Sequence, residues 1–473
     1  MGRTSTTGGD RPNILVIMSD EHDPGVMGCY GDPVVQTPNL DRLAADGVTF
    51  DAAYTTSPLC VPARLSFTAG KYISRCGAWS NDCWLPSDDY PSLPRVLNAA
   101  GYESYLCGKM HYDATRRYGF ADLFDAWTNH SRKTGKGGRR DPRDTTPHVR
   151  SWTDRARHFH AGETSRVLQH DEEVTRRSVE FLRQRSRGDQ PFFLLAGYLG
   201  PHFPLIVPEA YWQRYRGRVP EPTVPEGLIE SLPTNYQHLR YGFGLTATEP
   251  ELVTRGRELY WGFVDWLDGE IGKLLAGLGD SAVAEHTVVV YTSDHGENKG
   301  DHGLWWKNNM FEHASRAPLI VSWPARWAGG QRRSGACSFV DLVQTVAALG
   351  GATCPDDWDG DSLLGVLDGD DSGWKDFAVS EYYGHNIASG FAMYRQGPWK
   401  YVYHTRIDEE FGPERELYHL GDDPQEFRNL AGESAHADRI AAMHKALVAE
   451  VGRDPDDAEA DCRADYARGY VRT

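Results

Sequence analysis

The sequence predicts an α/β fold, in which a large, mostly parallel sheet is sandwiched by helices and followed by a smaller C-terminal α+β subdomain. Continuous apolar runs at 13–19, 192–199 and 287–292 are typical of central parallel strands, which are buried on both faces. Helical patterns separate these runs along the chain, as alternating strands and helices do in a parallel sheet. After about residue 370 the apolar runs are short and follow one another at hairpin spacing.

The helical segments have recognisable ends. Residues 37–47 begin with a Thr cap followed by Pro38 and stop at a Gly. Residues 92–101 repeat the helix-then-Gly pattern and lead into a predicted strand at 102–107. Longer helices are predicted over residues 166–186, from apolar residues at helical spacing, and over residues 250–278.

Two segments interrupt this alternation. Residues 128–164 are polar and locally basic, which predicts a surface loop, with a lid over an anionic substrate as the alternative. Residues 215–250 are rich in Pro and Gly and are predicted to be irregular.

The C-terminal subdomain is predicted to contain a short antiparallel sheet and a closing helix. We place its boundary in the Asp- and Gly-rich stretch 368–373, which divides the chain into a catalytic domain at 10–370 and a subdomain at 371–473. The predicted strands are 377–383, 391–395, 399–404 and 416–420, and the predicted helix is 435–451.

Composition excludes several classes of protein. A net charge of −17 over 473 residues argues against sequence-independent nucleic-acid binding, which needs clustered positive charge. No stretch reaches the ~20 apolar residues of a membrane helix, and the polar N-terminus has no secretory signal core, so we expect a cytoplasmic protein without a membrane partner. The eight Cys are sparse and form no Cys-x-x-Cys pair, which argues against a disulfide scaffold or a zinc cluster. A homo-oligomer is compatible with this sequence.

Acidic residues follow two of the predicted central strands. Asp20 and Glu21 come after the first strand, and Asp294 and His295 come after the third. In open α/β sheets the reactive crevice lies outside the carboxyl ends of the strands. Carboxylates with one imidazole at such an edge predict a divalent-metal site for Ca²⁺ or Mg²⁺, whereas a single Asp after a strand is also a common helix cap.

The segment after the first predicted helix carries Cys-x-Pro-x-Arg, formed by Cys60, Pro62 and Arg64, and a small residue with Gly70 follows. This pattern resembles the signature of the type I sulfatases, members of the alkaline phosphatase superfamily. The resemblance implies an alkaline-phosphatase-like fold. It also implies that a formylglycine-generating enzyme oxidises Cys60 to formylglycine and that the hydrated aldehyde, a geminal diol, is the nucleophile.

Further motifs extend the resemblance over nearly the whole chain. Each is weak alone, but together with the Cys60 motif they occur in the order and spacing of the family. They are Gly108–His111, Pro201–Pro204, Ser293–Glu297, Gly303–Lys307 with Arg316–Leu319, and Leu417–Ala431.

The resemblance implies one metal ion, Ca²⁺ first, with Mg²⁺ or Mn²⁺ as alternatives. Asp20, Asp294 and His295 would bind it together with the modified Cys60. Glu21 stands where most sulfatases have a second Asp and where some relatives with phosphonate and phosphodiester activity have Gln. It keeps the negative charge with a side chain one methylene longer and is included in the predicted ligand set.

The resemblance also implies catalytic roles. Arg64 would hold the diol, and Lys109 would contact both diol and sulfate. His111 would polarise or deprotonate the second diol hydroxyl, so that the covalent sulfo-enzyme releases sulfate. His202 and Lys307 would contact the sulfate and the leaving oxygen, with His202 as the general acid.

The leaving group is less well specified. Gly-Lys-Met-His at 108–111, Asn81 and Glu381 resemble features of choline sulfatases, and Asn81 and Glu381 are therefore candidate substrate-binding residues. In that reading Glu381 faces a cationic leaving group, and Trp79, Trp84 or Trp127 would supply cation–π contacts. Aryl or carbohydrate sulfate esters are the favoured alternative.

The first hypothesis is thus a formylglycine-dependent sulfatase that hydrolyses a small-molecule or carbohydrate sulfate ester. A phosphonate monoester or phosphodiester hydrolase on the same scaffold is the alternative. A transferase that passes the group to an acceptor other than water is not excluded. A catalytically silent binding homologue would keep Cys60 unmodified and would bind no metal.

Overall fold

The computed structural model describes residues 11–132, 138–147 and 151–470. The N-terminal residues 1–10, parts of the basic segment (133–137 and 148–150) and residues 471–473 lie outside the described residues. The strands are β1 Asn13–Asp20, β2 Val48–Phe50, β3 Ala53–Tyr54, β4 Glu103–Gly108, β5 Ala121–Phe124, β6 His160–Ala161, β7 Phe192–Pro201, β8 Ile206–Val207, β9 Thr287–Ser293, β10 Leu319–Ser322, β11 Gln331–Arg333, β12 Cys337–Ser338, β13 Phe377–Tyr382, β14 Phe391–Gln396, β15 Trp399–His404 and β16 Glu414–His419. The α-helices are α1 Pro38–Ala45, α2 Cys60–Ala69, α3 Ile73–Cys76, α4 Leu93–Ala99, α5 Trp152–Ala156, α6 Arg166–Arg183, α7 Glu209–Tyr215, α8 Leu228–Ser231, α9 Thr234–Phe243, α10 Pro250–Gly279, α11 Glu312–Ser315, α12 Phe339–Leu349, α13 Leu364–Leu367, α14 Ala437–Val451 and α15 Pro455–Ala467.

An eight-stranded sheet forms the centre of the molecule, in the order β11-β2-β10-β9-β1-β7-β4-β5. The four neighbours β9, β1, β7 and β4 are all parallel. Only β10 runs against its two neighbours, β9 and β2. The predicted mostly parallel sheet is therefore confirmed, and the strands β1, β7 and β9 occupy three of its four central positions.

The side chains of β1 explain the layered architecture. Ile14 and Val16 pack in one apolar cluster with residues of α2 and α12, whereas Leu15 and Ile17 pack in another with residues of α1, α6 and α10. All four are fully buried. Because successive residues of a strand point to opposite faces, an uninterrupted apolar run requires helices on both sides of the sheet.

The predicted long helices are confirmed as α1, α4, α6 and α10. Pro38 occupies the first position of α1 after Thr37, and the Ser92 and Ser165 side chains cap α4 and α6 by accepting backbone N–H bonds. The longest helix, α10, has 30 residues and buries charged side chains such as Glu258 and Asp265. Within the described ranges, no helix has both the length and the apolar composition needed to cross a bilayer.

The C-terminal region contains the predicted antiparallel sheet, with strands in the order β13-β14-β15-β16. The closing helix α14 packs on it through Met443, Leu447 and Val451, which share an apolar cluster with Tyr401 and Leu417. The strand and helix predictions are confirmed here, whereas a domain boundary near residue 370 stays a prediction.

Helices also occur in segments where the sequence predicted none. The segment 215–250, predicted to be irregular, contains α8 and α9, and the polar segment 128–164 contains α5. In α9 the side chain of Asn235 accepts the backbone N–H groups of Ala388 and Ser389, so a distant loop holds this helix in place. The polar C-terminal stretch forms α15, which buries Ala458 and Cys462.

Candidate active site

Four parallel strands end at one edge of the sheet, and each carries a predicted site residue there. Asp20 ends β1, and Asp294 follows β9. Lys109 follows β4, and His202 follows β7. Because these strands are neighbours in the order β9-β1-β7-β4, the fold brings together residues that are up to 274 positions apart in sequence numbering (Asp20 to Asp294).

Cys60 begins α2 and points into this edge. Its Sγ lies 3.8 Å from Asp20 Oδ1 and 3.4 Å from His295 Nε2. One ligand atom from each of Asp20, Cys60, Asp294 and His295 lies within 4.8 Å of the others, and all four side chains are buried. Two carboxylates and an imidazole around one point form a donor set that fits a divalent cation.

The thiol of Cys60 is a poor nucleophile as it stands. Burial raises its pKa to about 11, with the carboxylates of Asp294 and Glu21 acting in the same direction and Lys307 opposing them. The reactive species of a cysteine is the thiolate. The protein groups alone therefore keep this side chain protonated at neutral pH.

Arg64 lies one helical turn after Cys60 and forms hydrogen bonds with the carboxylates of both Asp20 and Asp294. Its Nε donates to Asp294 Oδ2 at 2.8 Å, and its Nη2 donates to Asp20 Oδ2 at 3.3 Å. Its Nη1 donates to the carbonyl oxygen of Lys109 at 2.8 Å, and the Lys109 ammonium pairs with Asp20. Burial opposes ionisation of Asp294, but Arg64 and its cationic neighbours lower the pKa of this carboxyl, so it stays charged.

Glu21 lies outside this four-residue group but close to Asp20. Its backbone has a positive φ of 65°, and its carboxylate lies 2.5 Å from Lys307 Nζ and 3.4 Å from His202 Nε2. It belongs to a second group of ligand-type atoms, formed with Asp20 and His202. Burial raises the pKa of Glu21, against the charges of Lys307 and Arg155. Direct metal binding by Glu21 stays a prediction.

The site opens to solvent beside His202 and Lys307. The side chains of Asp20, Asp294 and His295 are 0 % exposed, whereas those of His202 and Lys307 are 26 % and 10 % exposed. The end of the site at Cys60 is therefore enclosed, whereas the end at His202 is accessible to solvent.

His111 completes the site on the side of Lys109. Its backbone has a positive φ of 61°, and its Nδ1 is buried without a hydrogen-bond partner among the described residues. Burial, Lys109 and Arg64 lower its pKa well below the usual range. A neutral imidazole with an unpaired nitrogen is suited to accept a proton from a bound group.

Comparisons with known proteins decide the family. The sequence profile described as "Sulfatase" matches residues 12–352, which is more than half of the chain. The chain belongs to the sulfatase family. A second profile, described as "N-sulphoglucosamine sulphohydrolase, C-terminal", matches residues 300–452 of this sulfatase. The resemblance inferred from the sequence motifs is thereby confirmed.

The relatives of this sulfatase share its full length. The choline-sulfatase of Rhizobium meliloti (strain 1021) is 30 % identical over 462 residues, covering 90 % of this chain and 83 % of the relative. A protein solved in complex with its substrate D-glucosamine-2-N,6-O-disulfate has a TM-score of 0.73 at 21 % identity, covering 94 % of this chain and 99 % of that one. The phosphonate monoester hydrolase of Agrobacterium radiobacter also reaches 0.73 at 21 % identity, with 96 % of each chain covered. The chain is thus a sulfuric ester hydrolase with the fold of the alkaline phosphatase superfamily.

The sulfatase holds its Lys109–His111 loop with a side chain that sequence reasoning missed. Asn129 is fully buried. Its Oδ1 accepts the backbone N–H of Met110 at 2.9 Å, and its Nδ2 donates to the carbonyl oxygen of Gly108 at 2.7 Å. These two bonds bracket Lys109, so Asn129 fixes the backbone from which both Lys109 and His111 extend. A single Asn in a polar loop gave no sequence signal for this role.

Replacing Asn129 with aspartate is expected to lower kcat/KM about 10- to 100-fold, because the buried donor to Gly108 is lost and catalytic geometry is sensitive to small displacements. Asn98→Asp is the matched control, since Asn98 makes the same pair of backbone bonds, to Gly119 and Ser104, on the exposed surface. Steady-state kinetics of both variants with an aryl sulfate check this, and equal effects would contradict a specific role for Asn129.

Two further buried carboxylates support the sulfatase site. Asp171, on α6, accepts the backbone N–H groups of Leu199 and Gly200, both at 2.7 Å, and so fixes the strand end before His202. Glu297 Oε1 accepts the N–H of Trp306 at 2.5 Å and thereby holds the residue before Lys307. Glu297 lies within a motif that the sequence analysis quoted, whereas Asp171 had no sequence signal.

The structure places Asn81 and Glu381 at the starts of two helices of the sulfatase, α2 and α3. Asn81 Oδ1 accepts the N–H of Val61 at 3.1 Å, so it caps the first turn of α2. Glu381, on β13, accepts the N–H of Ser74 at 3.1 Å, at the start of α3. Burial raises the pKa of Glu381 to about 7. Substrate binding by these two residues stays a prediction.

The tryptophans considered for a cationic substrate have other contacts. Trp79 Nε1 donates to Asp465 Oδ2 at 2.7 Å, on α15. The exposed ring of Trp127 lies under the Arg166 guanidinium, whose central carbon is 4.3 Å from the ring centroid. These contacts do not form a cage for a quaternary ammonium around the opening of the site.

Proposed function

We propose that this sulfatase hydrolyses a sulfate ester to an alcohol and sulfate with a nucleophile made from Cys60 by conversion to formylglycine. The observation that carries the proposal is the position of Cys60, whose Sγ lies among the ligand-type atoms of Asp20, Asp294 and His295. In the motif Cys-x-Pro-x-Arg this residue begins a helix, and its protonated thiol is unsuited to attack. The formylglycine-generating enzyme is the partner required for maturation.

The metal in this proposal is one divalent cation, held by Asp20, Asp294, His295 and residue 60, with Glu21 as a further candidate ligand. The donor set fits the ion, because two carboxylates converge with an imidazole at a buried point. Oxygen-rich sites favour Ca²⁺, with Mg²⁺ or Mn²⁺ as alternatives. When bound, such an ion supplies positive charge to the sulfuryl oxygens and lowers the pKa of a neighbouring hydroxyl.

The cationic side chains would bind and orient the sulfate group. Lys109 lies beside Asp20 on the inner side, and Lys307 lies beside Glu21 at the opening. A sulfate monoester bound between them is neutralised from two directions. Positive charge fixed before the reaction stabilises the charge that develops on the transferring group and on the leaving oxygen.

Two histidines would move the protons. The Nδ1 of His202 donates to the carbonyl oxygen of Phe203, so Nε2 of the neutral ring carries no proton. Donation from Nε2 to the leaving oxygen would therefore come from the doubly protonated ring. Burial, Lys307 and Lys109 lower the pKa of His202, while Glu21, 3.4 Å from Nε2, favours a proton there. His111, with its unpaired Nδ1, would accept the proton whose removal releases sulfate from residue 60.

The substrate class we propose is a carbohydrate or other small-molecule sulfate ester. The neighbour solved with a glucosamine disulfate supports a sugar leaving group. Choline sulfate is the alternative suggested by the Rhizobium meliloti relative. The contacts of Trp79 and Trp127 with charged residues weaken that alternative.

A phosphonate monoester or phosphodiester hydrolase is the second candidate function. It is supported by the likeness to the Agrobacterium radiobacter enzyme, which has the same fold at a TM-score of 0.73. A higher kcat/KM for 4-nitrophenyl phenylphosphonate than for 4-nitrophenyl sulfate would favour this candidate over the first.

The proposal is tested by the mass of the peptide that contains residue 60. Replacement of the thiol by an aldehyde lowers the mass by about 18 Da, since H₂S is lost and oxygen is gained. We expect this mass in enzyme purified with the maturation partner, and turnover of 4-nitrophenyl sulfate in proportion to the converted fraction. Full turnover by protein with an unconverted thiol would contradict the proposed nucleophile.

A further inference from the structure

The helix α5 forms one wall of the opening of the site. It lies in the polar segment for which a lid over an anionic substrate was one interpretation. Its first residue, Trp152, is buried and donates from Nε1 to Glu249 Oε2 at 2.8 Å. The Trp152 ring also contacts Trp305, with centroids 5.1 Å apart. The helix is therefore attached to the loop that carries Lys307.

Arg155 of α5 lies against aromatic residues next to the catalytic side chains. Its guanidinium carbon is 4.1 Å from the ring centroid of Trp306 and 5.4 Å from the centroids of Phe203 and Phe243. Trp306 directly precedes Lys307, and Phe203 directly follows His202. Arg155 thus stands beside the two residues at which the site opens to solvent.

Arg155 also lies close to the charged side chains at the opening. Glu21 lies between Lys307 and His202, and the rings that Arg155 contacts belong to the chain neighbours of these two residues, Trp306 and Phe203. A leaving group that passes His202 therefore enters a region that contains the Arg155 guanidinium.

We propose that Arg155 binds a second anionic group, a sulfate or a carboxylate, on the leaving-group side of the substrate. This inference rests on the proposed sulfatase function and specifies its substrate as a sulfate ester with a further negative charge. A guanidinium presents a planar set of donors that suits sulfate and carboxylate oxygens. The rings of Trp306, Phe203 and Phe243, with centroids 4.1 to 5.4 Å from its central carbon, limit where the Arg155 guanidinium can move. A cationic leaving group would meet like charge at the same place.

The test uses Arg155→Gln and two matched pairs of substrates. One pair is glucosamine-2-N,6-O-disulfate and N-acetylglucosamine 6-sulfate, which differ in a second sulfate. The other is a uronic acid 2-sulfate and its methyl ester, which differ in a carboxylate. We expect the substitution to lower kcat/KM about tenfold or more for at least one dianionic substrate and less than about twofold for its monoanionic partner. Arg157→Gln is the control, because Arg157 is next to the same helix but 70 % exposed.

Binding measurements on a variant that cannot turn over test this inference independently of the proposed function. In the turnover-blocked Cys60→Ala protein with Ca²⁺, calorimetry should show tighter binding of the dianionic member of a pair, and Arg155→Gln should remove that difference. Equal losses for both members, or no loss for either, would overturn the role of Arg155. Absence of sulfate-ester turnover in the formylglycine-containing enzyme would overturn the proposed function, whatever the binding data show.

Discussion

Replacing Cys60 with alanine is expected to lower kcat/KM toward sulfate esters by at least about 10⁴-fold. Removal of a catalytic nucleophile typically reduces the rate by this order of magnitude. The nucleophile we propose is made from this side chain, and alanine leaves no atom to convert. The nearest side chains cannot replace it, because Asp20 and His295 belong to the proposed ligand set. The measurement is steady-state kinetics with 4-nitrophenyl sulfate in excess Ca²⁺.

The Cys60→Ala protein is expected to remain folded. Only one buried sulfur is removed at the start of α2, which costs about 1 kcal/mol of unfolding free energy. Cys337→Ala is the matched control, since Cys337 is fully buried on β12. It should lose similar stability and keep its activity. Thermal unfolding and kinetics of both variants separate chemistry from packing.

Two outcomes would contradict the role of Cys60. Activity retained in Cys60→Ala would show that another group attacks the sulfur. A loss of equal size in Cys337→Ala would show that any buried cavity disturbs the site and that the effect carries no information on the nucleophile.

Most of the central sheet could be predicted from the sequence because hydrophobic pattern and position agree there. The run at 13–19 is apolar at every position except its ends, and only a strand covered on both faces buries it all. Helix α1 has a Thr and a Pro at its start, which are local signals. Such elements can be predicted from their own residues, without information about residues distant in sequence.

The elements that were missed depend on tertiary contacts. Helix α9 follows a Pro-rich stretch and is held by bonds from Asn235 to residues near 388. Helix α15 is polar, and two of the residues it buries are acidic, Glu459 and Asp465. Glu459 pairs with Arg139, 320 positions earlier. Neither contact can be predicted from the residues that are neighbours in sequence.

The same distinction applies to the site. Strand ends are visible in a sequence, so Asp20, Lys109 and Asp294 could be expected to meet at one edge. The direction of a side chain beyond the strand end could not be predicted, and the Glu21 carboxylate lies beside Lys307 and His202 while staying close to Asp20. Supporting residues such as Asn129 act on backbone atoms, which leave no chemical signature in the sequence.

Replacing Asp294 with asparagine is the second substitution with a large expected effect. Removal of an outer partner of a metal ligand typically costs about 10- to 100-fold in metal affinity, so loss of a ligand charge should cost at least that. The amide also cannot accept from both Arg64 Nε and the N–H of Glu21, as the carboxylate does. We expect less than about one tenth of the bound Ca²⁺ at limiting metal and a fall in kcat/KM of at least about 10³-fold.

Asp268→Asn controls for the loss of a buried carboxylate. Asp268 is 1 % exposed and accepts the backbone N–H of Leu40 at 2.8 Å, at the start of α1 on one face of the sheet. Its replacement should lower the melting temperature and leave metal binding intact. Equilibrium dialysis against Ca²⁺ measures occupancy without relying on turnover, so the two variants are compared even when one is inactive. Equal metal binding in Asp294→Asn and the parent protein would contradict the assignment of Asp294 as a ligand.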